Sequence, residues 1–262
     1  MGQATYPEDD ALEHDDPFEP DAATRFGARA VLALLALAVA AVPFGLVLAF
    51  VQAEWPPLLR VDEGAQDALY RYTADHGGFA SVMKAISIVG SSPVYLLVFL
   101  VLVVWLVRRR LPRLAVYVAV TVPGSIALNA LVKTTVDRAR PVLPDPVASA
   151  YGTSFPSGHA QGAAVTYAVL LLVFLPALRG AWRRSAYIAS VTMVLAIGFS
   201  RVALGVHFVS DVVAGYFLGI AWVLAMTAAF SAWRVDRGRP SVHPDEGLEP
   251  EHRAELASVH DH

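Results

Sequence analysis

The segment LAVYVAVTVPGSIALNALV, residues 114–132, runs directly into the segment KTTVDRARP, residues 133–141. The first segment is almost wholly apolar and is close to the roughly 20 residues that cross a bilayer as a helix. The second carries lysine and arginine side chains, which keep their charged ends at a membrane surface. The junction predicts a transmembrane helix that ends in a group of cations at the interface.

The whole chain has the composition of a helical membrane protein. It contains 262 residues, 56% of them hydrophobic, and its mean hydropathy is +0.51. Soluble domains are usually less apolar. Five further segments qualify as spans: residues 30–51, 93–107, 160–175, 186–199 and 212–233. We predict an all-α polytopic membrane protein with six transmembrane helices in a bundle.

Some of these segments are short for a span, so we expect them to extend into their flanks. For the second span, residues 79–89 are the natural extension, with a break at residues 90–93, which hold a glycine and a proline. Residues 52–78 are polar and predict a loop with room for a short surface helix. Pro123 and Gly124 permit a kink that neighbouring helices commonly tolerate.

Charge divides the chain into a basic body and two acidic ends. Eight of the 23 acidic residues lie in residues 1–21 and six lie in residues 241–262. We predict a disordered acidic tail over 1–24, a membrane domain over 25–235 and a disordered tail over 236–262. The chain has no cysteine, which excludes disulfides and thiolate chemistry.

The distribution of basic residues predicts the orientation. With the N-terminus inside, twelve arginines of residues 22–240 fall on the inner side and seven basic residues fall on the outer side. Cytoplasmic loops are the ones that are rich in Lys and Arg. Both termini are therefore predicted to be cytoplasmic, and the outer face receives three polar segments. These segments are residues 133–141, FPSGH at 155–159 and SRVALGVHFVSD at 200–211.

Each polar segment has chemistry suited to phosphate, although each also has an ordinary interpretation when taken alone. Backbone N–H groups at a helix start, next to Ser157 and Gly158, favour an anion, but Ser157 could simply cap the helix. His207 and Asp211 are four residues apart and share a helix face, so the carboxylate can fix the imidazole tautomer. Asp211 could equally be a capping charge, and the cations of residues 133–141 could be interfacial anchors.

The three segments together, in this order and at helix ends on one face, resemble the signature of the type-2 phosphatidic acid phosphatase superfamily, which includes the vanadium haloperoxidases. The resemblance covers residues 25–235, with no departure at a signature position. It implies His207 as a nucleophile that forms a phosphohistidine, Asp211 as its orienting partner, and His159 as general acid and then general base. The residues that it implies for phosphate binding are Lys133, Arg140, Ser157, Gly158 and Arg201.

The resemblance implies an integral membrane lipid phosphatase that needs no metal or other cofactor. The distribution of basic residues predicts that it acts on the extracytoplasmic side, and the Ala-, Val- and Arg-rich composition is compatible with a bacterial cytoplasmic membrane. The substrates that the resemblance implies are polyprenyl diphosphates such as undecaprenyl diphosphate, phosphatidylglycerol phosphate and phosphatidic acid. Phosphoryl transfer to an alcohol and a non-catalytic lipid-phosphate binder or transporter stay open as alternatives; a soluble haloperoxidase is disfavoured by the spans. We expect membrane lipids as partners and no nucleic acid, and the oligomeric state stays open.

Three other polar residues receive more modest expectations. Arg138 and Asp137 are interpreted as a local surface pair. Asn129 is expected to make an interhelical hydrogen bond. His76, in the predicted loop, is assigned no role.

Overall fold

The computed structural model describes residues 22–143 and 146–257, and their side chains from residue 37 onward. The predicted N-terminal tail lies outside this description except for its last three residues, which already begin a helix. The helices are α1 (Ala22–Gln52), α2 (Pro56–Asp75), α3 (Gly77–Val89), α4 (Ser92–Arg108), α5 (Pro112–Val136), α6 (Gly158–Phe174), α7 (Gly180–Ala203), α8 (Val209–Asp236) and α9 (Arg253–Ala257). The described part of the chain contains no strand, and the all-α prediction is confirmed.

The helices account for between four and six membrane spans. The helices α5, α7 and α8, together with α6 and its 3₁₀ extension to Ala177, are each long and apolar enough to cross a membrane. Two helix pairs pass the same test only as bent units: α1 from Leu37 with α2, at 91°, and α3 with α4, at 41°. The second pair is the broken span predicted from the break at residues 90–93.

The segment predicted as a polar loop, residues 52–78, is instead mostly a 20-residue helix, α2. Prolines 56 and 57 occupy its first turn, where the missing N–H costs nothing and the fixed φ favours a helix start. The helix buries polar side chains, among them Asp62 and Gln66, on the side that faces the bundle. The polarity that suggested a loop is therefore that of an amphipathic helix, with exposed charged residues on one side and a few buried polar residues on the other.

Small residues bring α6 and α8 into close contact and so set the position of the site. A Cβ added to Gly215 would lie 2.7 Å from the carbonyl oxygen of Ser157, and one added to Gly219 would lie 2.9 Å from that of Gln161. Glycines four residues apart on one face allow two membrane helices to approach this closely. The start of α6 is therefore held directly against the start of α8.

The predicted disordered tail at residues 236–262 is wrong for the part of it that the structure describes, residues 236–257. Leu248 and Leu256 are buried, and the Leu248 N–H donates to the carbonyl of Leu172 at 3.0 Å. Arg234, at the end of α8, is 1% exposed and pairs with Glu249 at 3.3 Å and Glu251 at 2.7 Å. The acidic composition that suggested disorder supplies the partners of a buried arginine.

Candidate active site

The predicted site residues come together at one end of the bundle. Lys133 lies in the last turn of α5, Ser157 caps α6, and Arg201 lies in the last turn of α7. His207 lies in the short α7–α8 connection, and Asp211 lies in the first turn of α8. Four helix ends therefore bring residues from three distant segments into one cluster.

Hydrogen bonds fix the tautomer of His207. Its Nδ1 lies 3.4 Å from Asp211 Oδ2, and its Nε2 lies 3.1 Å from a terminal nitrogen of Arg140. A guanidinium can only donate, so Nε2 accepts and its lone pair points toward Arg140. The proton is then on Nδ1, facing the carboxylate. This is the arrangement that a nucleophilic Nε2 requires.

Burial keeps His207 neutral. The residue is 2% exposed. Burial lowers its pKa to about 4, and Arg140 and Arg201 act in the same direction, while the hydrogen bond and charge of Asp211 oppose the shift. A neutral imidazole is the nucleophilic form, so His207 is in that form over the whole physiological pH range.

Asp211 is held by more contacts than its predicted role requires. Its Oδ2 accepts hydrogen bonds from the Phe208 N–H at 2.9 Å and from the Ser154 hydroxyl. Its Oδ1 accepts from Arg138 at 2.7 Å. A carboxylate in the first turn of a helix also has a favourable interaction with the helix dipole. Asp211 is therefore fixed before any substrate is bound.

The start of α6 is tied to the same group. The Ser157 N–H donates to the Asp211 carbonyl at 2.9 Å, and the Ser157 hydroxyl accepts the Ala160 N–H at 3.4 Å as a helix cap. The capping interpretation of Ser157 is thus correct for its oxygen, and its O–H remains able to donate. His159 follows in the first turn, within the electrostatic influence of Arg201, His207, Arg140 and Lys133.

Three cations in the cluster have neutral partners. Lys133 donates to the Thr153 carbonyl at 2.7 Å, and Arg140 donates to the carbonyls of Gly152 at 2.9 Å and Val206 at 2.7 Å. Arg201 donates to the hydroxyl of Ser87, and its buried Nε has no partner among the described residues. Burial lowers the pKa of Arg140. Positive charge that is partly buried without a carboxylate of its own favours an anion such as phosphate.

Arg138 is different, and its predicted pairing with Asp137 on the surface is wrong. Its two terminal nitrogens contact Asp211 Oδ1 at 2.7 Å and Asp62 Oδ2 at 2.9 Å, and its guanidinium lies 4.3 Å from the centre of the Phe208 ring. Asp137 ends α5 in the left-handed conformation, and the turn directs Arg138 inward. The position of Arg138 within residues 133–141 was a sequence signal that it belongs to the site. Nothing in the sequence around Asp62, which was predicted to lie in a loop, indicated a contact with the site.

A cavity of about 180 Å³ adjoins the cluster between α4, α5 and α6. Lys133 and Gly158 lie on its wall, and its apolar lining includes Tyr95, Phe99 and Ile126. Asn129, also on the wall, donates to Gln161 Oε1 on α6 at 2.6 Å, as the predicted interhelical hydrogen bond. The cavity therefore connects the cation cluster with the apolar side of the bundle.

The described residues include no group of three or more His, Cys, Asp or Glu side chains that could hold a metal ion. The positive charge of the cluster comes from its lysine and arginines. Independence from metal stays a prediction.

Comparison with known proteins supports the resemblance drawn from the three segments. Residues 113–235 match the model of the PAP2 superfamily. Phosphatidylglycerophosphatase B of Bacillus subtilis (strain 168) is 40% identical over 96 residues, which are 36% of this chain and 46% of the relative. The chain thus aligns with less than half of the length of that curated relative. The crystal structure of a transmembrane PAP2-type phosphatidylglycerolphosphate phosphatase from Bacillus subtilis superimposes with a TM-score of 0.66 and 25% identity, over 74% of this chain and 95% of that one.

Proposed function

We propose, from the match of residues 113–235 to the model of the PAP2 superfamily, that the protein is a membrane lipid phosphatase that works through a phosphohistidine at His207. The observation that carries the proposal is the geometry of this imidazole. Its Nε2 lone pair faces Arg140, and its Nδ1–H faces Asp211. A neutral, oriented nucleophile directed at a group of cations is suited to attack on a bound phosphate.

The reaction then has two steps. Nε2 of His207 attacks phosphorus, the P–O bond to the lipid breaks, and His159 donates a proton to the leaving oxygen. His159 next accepts a proton from water, the water oxygen attacks phosphorus, the P–N bond breaks and inorganic phosphate is released. Lys133, Arg140 and Arg201 neutralise the phosphate oxygens in both steps. Asp211 stabilises the positive charge that develops on the imidazole.

Phosphatidylglycerol phosphate is the substrate that we propose. The curated match and the solved structure, both from Bacillus subtilis, are each named for this substrate, and the largely apolar cavity beside Lys133 and Gly158 suits part of a lipid next to its phosphate. A panel of phosphatidylglycerol phosphate, phosphatidic acid and undecaprenyl diphosphate, assayed on purified protein, tests the choice. Faster turnover of undecaprenyl diphosphate than of phosphatidylglycerol phosphate would overturn it.

The nucleophile is tested by trapping the intermediate. Acid-labile ³²P should appear on the wild-type protein within one turnover and be absent from His207→Ala, which should also release no phosphate. Near-normal turnover by a folded His207→Ala protein would contradict the mechanism. Inhibition by vanadate and full activity in a chelator are also expected, because the cations here are side chains.

We further propose that the site faces away from the cytoplasm, as the distribution of basic residues supports. The absence of cysteine allows single labels. Tyr151, beside the cluster, is 93% exposed, and Trp182, at the other end of α7, is 77% exposed. In intact cells, an impermeant maleimide should label Tyr151→Cys and spare Trp182→Cys. The reverse pattern would place the site on the cytoplasmic side.

A further inference from the structure

We propose that Asp62 on α2 is a positioning residue that acts through Arg138 to keep Asp211 available to His207. The proposal rests on the proposed function, since it concerns the same nucleophile. Asp62 lies outside residues 113–235, the part that matches the family model. It is 0% exposed, although a buried carboxylate is costly unless it is paired.

The contacts of Asp62 lead directly to the catalytic pair. Its Oδ2 accepts from Arg138 at 2.9 Å, and the other terminal nitrogen of Arg138 donates to Asp211 Oδ1 at 2.7 Å. Its Oδ1 accepts the N–H of Ser210, the residue before Asp211, at 2.9 Å. The Ser210 hydroxyl donates to Asp62 and accepts from Arg138 at 2.7 Å. One carboxylate thus holds both the guanidinium and the backbone beside Asp211.

The charges explain why the pair needs this support. Arg138 lies between two carboxylates, so Asp62 takes up part of its positive charge. Without that partner, the whole guanidinium would be directed at Asp211, and the carboxylate would become a weaker acceptor for the His207 Nδ1–H. The imidazole gains positive charge as Nε2 bonds to phosphorus. A weaker hydrogen bond to Asp211 would therefore raise the energy of the transition state more than it would weaken substrate binding.

The substitution Asp62→Asn separates this role from simple docking of α2. The amide oxygen of Asn can still accept the Ser210 N–H, but the charge at Oδ2 is removed, and Asp211 is then the only carboxylate among the described residues that pairs with Arg138. We expect kcat, measured at a temperature where the variant is folded, to fall about tenfold or more, by analogy with residues that orient catalytic ligands, with KM nearly unchanged. The thermal midpoint should also fall, because a buried ion pair is lost. Asp67→Asn is the matched control, since Asp67 lies on the same helix and its side chain is 61% exposed; it should keep wild-type kcat.

A double-mutant cycle tests whether Asp62 acts through Arg138. If it does, Asp62→Asn in an Arg138→Gln background should lower kcat little further, because the link has already been removed. Independent losses in the double variant, a wild-type kcat in Asp62→Asn, or a loss of kcat that disappears at temperatures where the variant is fully folded would each overturn the proposal. His207→Ala, measured in parallel, reports on the proposed function alone. An active His207→Ala would refute the mechanism, whereas an inactive one beside a fully active Asp62→Asn would refute only the positioning role.

Discussion

Acidification should destabilise the protein through His207 in a way that can be isolated. The pKa of this histidine is about 4 in the folded protein, while an unfolded histidine titrates near 6.5. Between these two values the unfolded chain binds the proton and the folded chain does not. The contribution of His207 to the free energy of unfolding therefore has its full value above about pH 6.5 and is lost as the pH falls toward 4. The difference of about 2.5 pKa units corresponds to roughly 3 kcal/mol over the interval.

The comparison of wild type with His207→Gln isolates this contribution. Other groups titrate over the same range, but they are shared by the two proteins. Thermal midpoints in detergent, measured from pH 7 to pH 4.5, should fall more steeply for the wild type than for the variant. The difference between the two curves should grow steadily below pH 6.5.

Protonation of His207 can also be followed directly. The ring carbons and nitrogens of ¹³C,¹⁵N-histidine-labelled protein report the charge of each imidazole, and the spectrum of His207→Gln identifies the resonance of interest. With a pKa of about 4, the ring should be almost entirely neutral at pH 5.5, whereas a ring with a pKa near 6.5 would be mostly charged at that pH. A His207 resonance that titrates at pH 6 or above, with parallel stability curves for the two proteins, would refute the reasoning.

Three further substitutions test separate parts of the structure. Arg201→Met should raise KM for a lipid phosphate severalfold or more in steady-state assays, because it removes a buried cation with neutral partners; an unchanged KM would remove Arg201 from the phosphate site. Leu256→Ala should lower stability by about 2–5 kcal/mol, seen as a lower thermal midpoint, yet keep kcat at temperatures where the protein is folded. Gly219→Val should cut turnover at least tenfold, because its side chain would push α6 from α8, whereas Gly45→Val, with open space around it, should have wild-type turnover.

The sequence was informative wherever function depends on residues close together in the chain. His207 and Asp211 are four residues apart, and their predicted contact is present at 3.4 Å, although His207 lies just before α8 and not on the same helix face as Asp211. The cations of residues 133–141 and the helix start at Ser157 were found in the same way. Apolar length located the spans, including the extension of α4 by α3 across the break at residues 90–93.

Contacts between distant polar residues could not be predicted from one sequence. Asp62 and Arg138 are 76 residues apart, and the polarity of the segment around Asp62 predicted exposure rather than burial. The prediction of disorder for the C-terminal segment failed for the same reason, since Glu249 and Glu251 pair with Arg234 on α8. In both cases a charged residue that was predicted to be solvated pairs with an arginine far away in the chain. Composition shows which charged residues are present, but it does not show which of them form ion pairs.

The arginines around His207 illustrate why the identity of each partner matters more than the number of charges. Arg140 and Arg201 donate to neutral groups, which leaves their charge available to a phosphate. Arg138 contacts two carboxylates, so it can hold Asp211 in place without competing for the phosphate. If Asp62 were absent, Asp211 alone would have to neutralise Arg138 and orient His207. The helix α2, bent by 91° from α1, supplies the second carboxylate and so allows these two tasks to be separated.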